Sequence, residues 1–303
     1  MSNPAPTTFN KGYLFGLSAV LIWSGFIVVS RMGGLSALTP NDSIAIRYLT
    51  CSLILLPVWW FKYRFNLFQP RLIMCAAVGG LGYALCVYRG FELAPASHAA
   101  VLLPGLMPLI IIIFATVLGL EKPSPLKWIG VVVITLGVFT LMSKYQVGED
   151  ISEGHGWLIL AAMCWGMYSV MLKRWSVTPW EGTISLALLS CMVYLPIYVF
   201  VLEKQIASAS WETIALQALY QGFLATVVQM LLYVQAIRLI GASSMGSLMA
   251  LVPFIAAIGS ITFLDESWNL HLAIGLVLVS FGAWLSQTRL FQTKELVVCP
   301  TST

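Results

Sequence analysis

The chain has 303 residues, of which 59% are hydrophobic and only 9% charged, with a formal net charge of +4. A soluble domain carries roughly a quarter charged residues, so this composition, with a mean hydropathy of +0.89, excludes an ordinary soluble protein. The positive balance is accounted for by membrane topology, as shown below, and no nucleic-acid partner is expected.

Apolar stretches of about 17–25 residues are long enough to cross the hydrocarbon of a bilayer. In chain order the predicted helices cover residues 12–30, 43–61, 72–93, 97–119, 125–143, 156–173, 183–202, 213–237, 242–264 and 268–287. The first exceeds a signal-peptide h-region and ends in Arg31-Met-Gly-Gly, not a small-residue cleavage site, so a retained helix is expected. The longest linkers lie near 144–155 and 203–212, which leaves no room for a soluble catalytic domain.

Lys and Arg counted by side set the orientation. Eleven fall on the side of the N-terminus, among them Lys11, Lys62, Arg71, Lys127 and Arg174, against five on the other, Arg31, Arg47, Arg89, Lys144 and Lys204. The bias predicts a multi-pass membrane protein with both tails, 1–11 and 288–303, in the cytoplasm. The six cysteines form no CxxC pair and fall mostly within spans, so they read as small buried hydrophobes and not as a metal or disulfide framework.

The chain repeats itself. At an offset of 145, Glu121 pairs with Glu266, Pro108 with Pro253, Gly130 with Gly275 and Gly137 with Gly282. LIWSGFIVVSR (21–31) matches MCWGMYSVMLK (163–173) at an offset of 142, with Trp23 opposite Trp165. Each unit, 12–143 and 156–287, then holds five helices, and an odd number turns the second upside down relative to the first. Inverted repeats suit alternating access around a central site.

The Trp-Ser and Trp-Gly pairs of the first helix of each unit, Arg47 early in the second (PNDSIAIRYL) and the run from Pro108 through LGLEKPSPLKWIGVVVITLGV together resemble the EamA unit. Two such units build the ten-helix drug/metabolite transporter superfamily, and the resemblance covers about residues 12–287. It implies an all-α polytopic membrane protein of ten transmembrane helices in two inverted five-helix repeats. Helices 1–4 and 6–9 would surround a cavity, with 5 and 10 to the side. It also implies export of amino acids or other small metabolites. The second unit departs from the first in having no arginine matching Arg47, so any role for that residue is not duplicated.

Ionisable groups inside spans are costly and need a reason. Arg47 either attracts a substrate carboxylate or snorkels to the outer headgroups. Arg89 and Glu92, three apart, form a self-neutralising pair or expose Glu92 as a proton carrier. His98, at the mouth of the fourth helix, is either a proton switch or a plain hydrogen-bonding group. Gly222, Thr226, Gln229 and Tyr233 follow helical spacing and are expected on one face. Trp23, Tyr83, Tyr88, Trp165 and Tyr168 complete the candidate pocket, their alternative being an interfacial belt. Pro104, Pro108 and Pro253 are candidate hinges or static kinks. Glu121 reads as a turn residue stabilising the start of the fifth helix.

No GxxxxGK[ST] loop or HExxH pair is present, so no cofactor, metal or ATP-driven step is expected. The expected partners are a small-molecule substrate and membrane lipid, with protons and a second copy of the chain as further candidates. The functional expectation is a secondary exporter, not an enzyme. Its rivals are a multidrug exporter on the same scaffold and an integral membrane enzyme or translocase acting on a lipid-linked substrate.

Overall fold

A computed structural model describes residues 6–120, 123–143 and 153–287. Glu121, Lys122, residues 1–5 and 288–303 of the tails, and most of the 144–155 linker lie outside the described residues. Helices α1 (Pro6–Gly34) and α2 (Pro40–Val58, with a π-helical end Trp59–Tyr63) open the fold. In α3, Pro70–Cys75 passes through a π-helical segment, Ala76–Gly82, into Tyr83–Leu93. Then follow α4 (Ala96–Val117), α5 (Pro125–Ser143), α6 (Glu153–Arg174) and α7 (Pro179–Phe200). Helix α8 likewise passes from Trp211–Gln217 through a π segment, Ala218–Val228, into Gln229–Met249, and α9 (Val252–Leu264) and α10 (Leu270–Gln287) close the chain. The described residues contain no strand. Among the described residues, seven helices are long and apolar enough to cross a membrane, and three shorter apolar helices accompany them.

Local chemistry sets the boundaries. Thr39-Pro40-Asn41-Asp42 opens α2 with a capping box in which Thr39 accepts from the Asp42 amide and Asp42 from the Thr39 amide. Thr178-Pro179-Trp180-Glu181 opens α7 in the same way. Proline at the first helical position forfeits only an amide that would have been unsatisfied. At the other end of such helices, Asp265 after α9 and Gly119 after α4 both take the left-handed conformation that stops a helix.

The last part of α8 folds back on itself. A Cβ built on Gly16 would lie within 4 Å of Ala236, Met245 and Leu248 at once. In a straight helix, residues 236 and 248 would be about 18 Å apart. The chain therefore reverses between them, where the sequence places a boundary between two apolar runs.

Helices α5 and α10 cross antiparallel with backbones nearly touching. A Cβ on Gly130 would meet the Gly282 carbonyl at 2.7 Å, and one on Gly275 would meet the Gly137 carbonyl at 3.1 Å. Small residues at such crossings let helices gain van der Waals contact where no hydrophobic drive is available. The main core lies elsewhere, around Phe26, Tyr48, Leu55, Phe91, Leu102, Leu158 and Ile184 of α1–α4, α6 and α7.

Polar ties gather at one end of the bundle. Arg31 donates to the carbonyls of Phe91 and Glu92 at 2.6 and 2.7 Å, capping α3. Asp42, fully buried, accepts from the Tyr198 hydroxyl at 2.6 Å and from the Gln205 amide at 3.2 Å. Arg89 and Glu92 form an ion pair on the surface there. At the opposite end Arg71 reaches Glu181 at 3.8 Å, and a cavity of about 330 Å³ is lined by Lys62, Tyr63, Trp180, Met230 and Gln235.

Candidate functional site

The site is built around Arg47, on the third turn of α2. The side chain does not snorkel: it is 7% exposed, its guanidinium 5.5 Å above the Phe26 ring of α1 and within electrostatic reach of Tyr48, Tyr83 and Tyr88. Its Nε and Nη1 have no well-formed hydrogen bond among the described residues, and the Tyr88 hydroxyl, likewise without one, lies close enough to interact with the guanidinium. A buried cation without an anion is expensive. Arg31 differs in degree: its Nη1 is spent on two backbone carbonyls, and only its Nε is buried without a partner. Arg47 keeps donors unspent, and a carboxylate is the group their fork geometry fits.

An aromatic wall continues from this point. Tyr83 and Trp165 have ring centroids 4.9 Å apart, and Trp165 and Tyr168 5.4 Å, which joins α3 to α6. Tyr168 is seated by two glycines, since a Cβ on Gly79 would lie 2.3 Å from its ring and one on Gly182 3.0 Å from its hydroxyl. Tyr48 packs edge-on against Tyr194 of α7 at 6.4 Å. Tyr83, Tyr88 and Tyr168 are all buried and Trp165 half-buried, so these rings are interior and not an interfacial belt.

The structure thus brings Arg47, Tyr83, Tyr88, Trp165 and Tyr168 together. Other candidates lie apart. His98, 5% exposed, sits at the tied end, its Nδ1 3.0 Å from Nε2 of buried His155 with the rings stacked. Trp23 is half-buried against the main core. Pro104 and Pro253 are buried and Pro108 half-buried; α4 continues through Pro104 and Pro108, whereas Pro253 begins α9.

Gln229 and Tyr233, both half-buried, lie beyond the π segment of α8. The expected stripe through Gly222, Thr226, Gln229 and Tyr233 assumed a constant helical period. Within 218–228 the period is longer, and the Thr226 hydroxyl donates to the Gln221 carbonyl five residues back. The four residues therefore spread over a wider arc than α-helical spacing implies.

Two residues that the sequence reading did not single out are Gln217 and Gln221, both fully buried on α8. Gln217 donates to the Val29 carbonyl at 2.7 Å and Gln221 to the Ser30 hydroxyl at 2.8 Å, both on α1. Their i, i+4 spacing was the available signal. Glu266 also differs from its expected neighbourhood. It does not serve the helix that follows it, which Asn269 caps by accepting from the Leu272 amide. Its carboxylate instead accepts from the Ala96 and Ser97 amides at 2.6 and 2.8 Å, holding the start of α4. Among the described residues no cluster of His, Cys, Asp or Glu is arranged to hold a metal.

Comparison with known proteins agrees with this architecture. Residues 10–143 and 152–288 each match the EamA-like transporter family. The threonine/homoserine exporter RhtA of Escherichia coli K12 is 26% identical over 263 residues, covering 83% of this chain and 84% of the relative. The uncharacterized transporter PA0485 of Pseudomonas aeruginosa is 25% identical, covering 95% of this chain and 99% of its own. A solved crystal structure at 21% identity superposes with a TM-score of 0.61 over 91% of this chain and 96% of the other. At that identity it speaks for the fold alone.

Proposed function

Because the chain belongs to the EamA-like transporter family, we propose that it is a secondary exporter of amino acids or related small metabolites. In this reading it spans the inner membrane ten times with both tails in the cytoplasm, and Arg47 receives the substrate carboxylate. The observation that carries it is the buried Arg47 guanidinium, with donors unspent beside the Tyr88 hydroxyl and the Tyr83–Trp165–Tyr168 wall. The comparison with RhtA, a threonine/homoserine exporter, supports the substrate class.

Alternating access would come from the two halves exchanging shapes about a pseudo-two-fold axis in the membrane plane. Support comes from the α5–α10 crossing. The 145-residue offset turns Gly130 into Gly275 and Gly282 into Gly137, so the Gly130–Gly282 contact maps onto the Gly275–Gly137 contact. A crossing that maps onto itself in this manner is what two antiparallel copies of one helix produce. The polar ties at the expected outer end and the 330 Å³ cavity at the expected cytoplasmic end support an inward-facing arrangement.

Metabolite profiling of cells and medium tests the export reading. Overproduction should raise, and deletion lower, the extracellular level of one or a few amino acids. An unchanged extracellular profile in both strains contradicts it.

A further inference from the structure

Gln217 and Gln221 are wholly buried, yet each keeps an amide oxygen without a partner among the described residues. For Gln217 the orientation is dictated by its partner, because the Val29 carbonyl can only accept and so must face the amide nitrogen. Gln221 presents its nitrogen to the Ser30 hydroxyl, which is itself 1% exposed. One turn of α8 separates the two amides, so both orphaned oxygens lie on the α1–α8 seam, next to the Ser30 hydroxyl that Gln221 already holds. Uncharged oxygens packed away from water require a donor, and a compact cationic donor fits them best.

Two contacts locate this set relative to Arg47. The Arg47 guanidinium lies over Phe26, one turn of α1 before Ser30. On the other side, a Cβ on Gly222 would lie 2.4 Å from Thr50, so the residue after Gln221 packs against the residue one turn beyond Arg47. Along the helix axes the positions of Arg47 and of this set thus differ by about one turn, roughly 5 Å.

We propose that Gln217, Gln221 and Ser30 form the ammonium half of a zwitterion site, and that Arg47 is its carboxylate half. The inference rests on the carboxylate reading of Arg47 and goes beyond it. The substrate is a free α-amino acid with both charged groups intact, and the glutamines are what discriminates it from a simple carboxylic acid of the same shape. A site built to hydrogen-bond one group rejects the analogue lacking it, because its own buried polar atoms are then left unpaired.

Counterflow of labelled threonine in proteoliposomes containing the full chain tests this. The competitors are threonine, 3-hydroxybutanoate, which lacks only the ammonium, and threoninol, in which a hydroxymethyl replaces the carboxylate. With the native protein, both analogues should compete about tenfold or more worse than threonine. Gln221→Leu should bring 3-hydroxybutanoate level with threonine while threoninol stays excluded. Gln221→Glu, which keeps an acceptor, should retain the preference for the ammonium and guards against a merely misfolded leucine variant. Arg47→Gln should bring threoninol level instead.

If Gln221→Leu leaves the ratio of threonine to 3-hydroxybutanoate unchanged, the ammonium assignment is overturned while the carboxylate reading stands. If Arg47→Gln leaves threoninol excluded, the carboxylate reading falls, and the zwitterion site with it. Native counterflow that needs sodium, with Gln221→Leu losing that sodium requirement while the analogue ratio stays intact, would make the acceptors an ion site and overturn the proposal. Absence of threonine counterflow in the native protein overturns both readings for this class of amino acid.

Discussion

Gly130 and Gly282 face each other so closely that a Cβ on either would lie 2.7 Å from the other's carbonyl oxygen. The obstructing atoms are backbone, which cannot rotate away. Gly130→Ala and Gly282→Ala should therefore each destabilise the protein by about 1–3 kcal/mol, despite the better helix propensity of alanine. Gly275→Ala, which meets its nearest atom at 3.1 Å, should cost less. Gly156→Ala has nothing within 4 Å and should be neutral or slightly stabilising. Thermal unfolding of the detergent-purified variants checks the ranking.

Two arginines on neighbouring helices should respond in opposite directions to the same substitution. Arg31→Met removes donors that satisfy two carbonyls and should destabilise by about 1–3 kcal/mol. Arg47→Met removes a buried cation with unspent donors while keeping a side chain of similar length. It should raise stability by about 1 kcal/mol or more and abolish transport. Paired measurements of unfolding temperature and flux test the contrast. A destabilised Arg47→Met would mean that the guanidinium is already satisfied within the protein.

Acids at the tied end should differ in weight. Glu266 holds two amides at the start of α4, so Glu266→Ala should cost about 1–2 kcal/mol. Glu92 pairs with Arg89 where both are substantially exposed, and Glu92→Gln should change stability by no more than about 1 kcal/mol. Unfolding midpoints for the two variants should separate clearly.

Inverted repeats make a topological prediction. The α1–α2 loop and the α6–α7 loop occupy the same place in their units but should open on opposite sides. Ser36→Cys should react with a membrane-impermeant maleimide in intact spheroplasts, whereas Ser176→Cys should react only after permeabilisation. Labelling of both from the same side would contradict the inversion.

The sequence carried much of this architecture because each long helix is an uninterrupted apolar run, and composition alone decides that a lipid phase must receive it. The Thr39 and Thr178 capping boxes are equally local. What could not be read depends on period or on partners. The π segments of α3 and α8 change the angle between successive residues without any proline to announce it, and so widen the stripe through Gln229 and Tyr233. Gln217 and Gln221 looked like polar interruptions at the edge of a span, and only the packing of α8 on α1 makes them buried. Arg47 was visible as an intramembrane charge, but its depth depends on Phe26, Tyr83 and Tyr88 closing around it from two other helices. Glu266 stood out as the twin of Glu121, yet its partners, the amides of residues 96 and 97, are far away in sequence.

The most direct test of the central claim is flux of labelled amino acids in proteoliposomes containing either the native protein or Arg47→Gln. The account predicts saturable, gradient-dependent flux of at least one free amino acid by the native protein, reduced about tenfold or more by the substitution. Native flux that is undiminished in Arg47→Gln, or no flux of any amino acid, would contradict it.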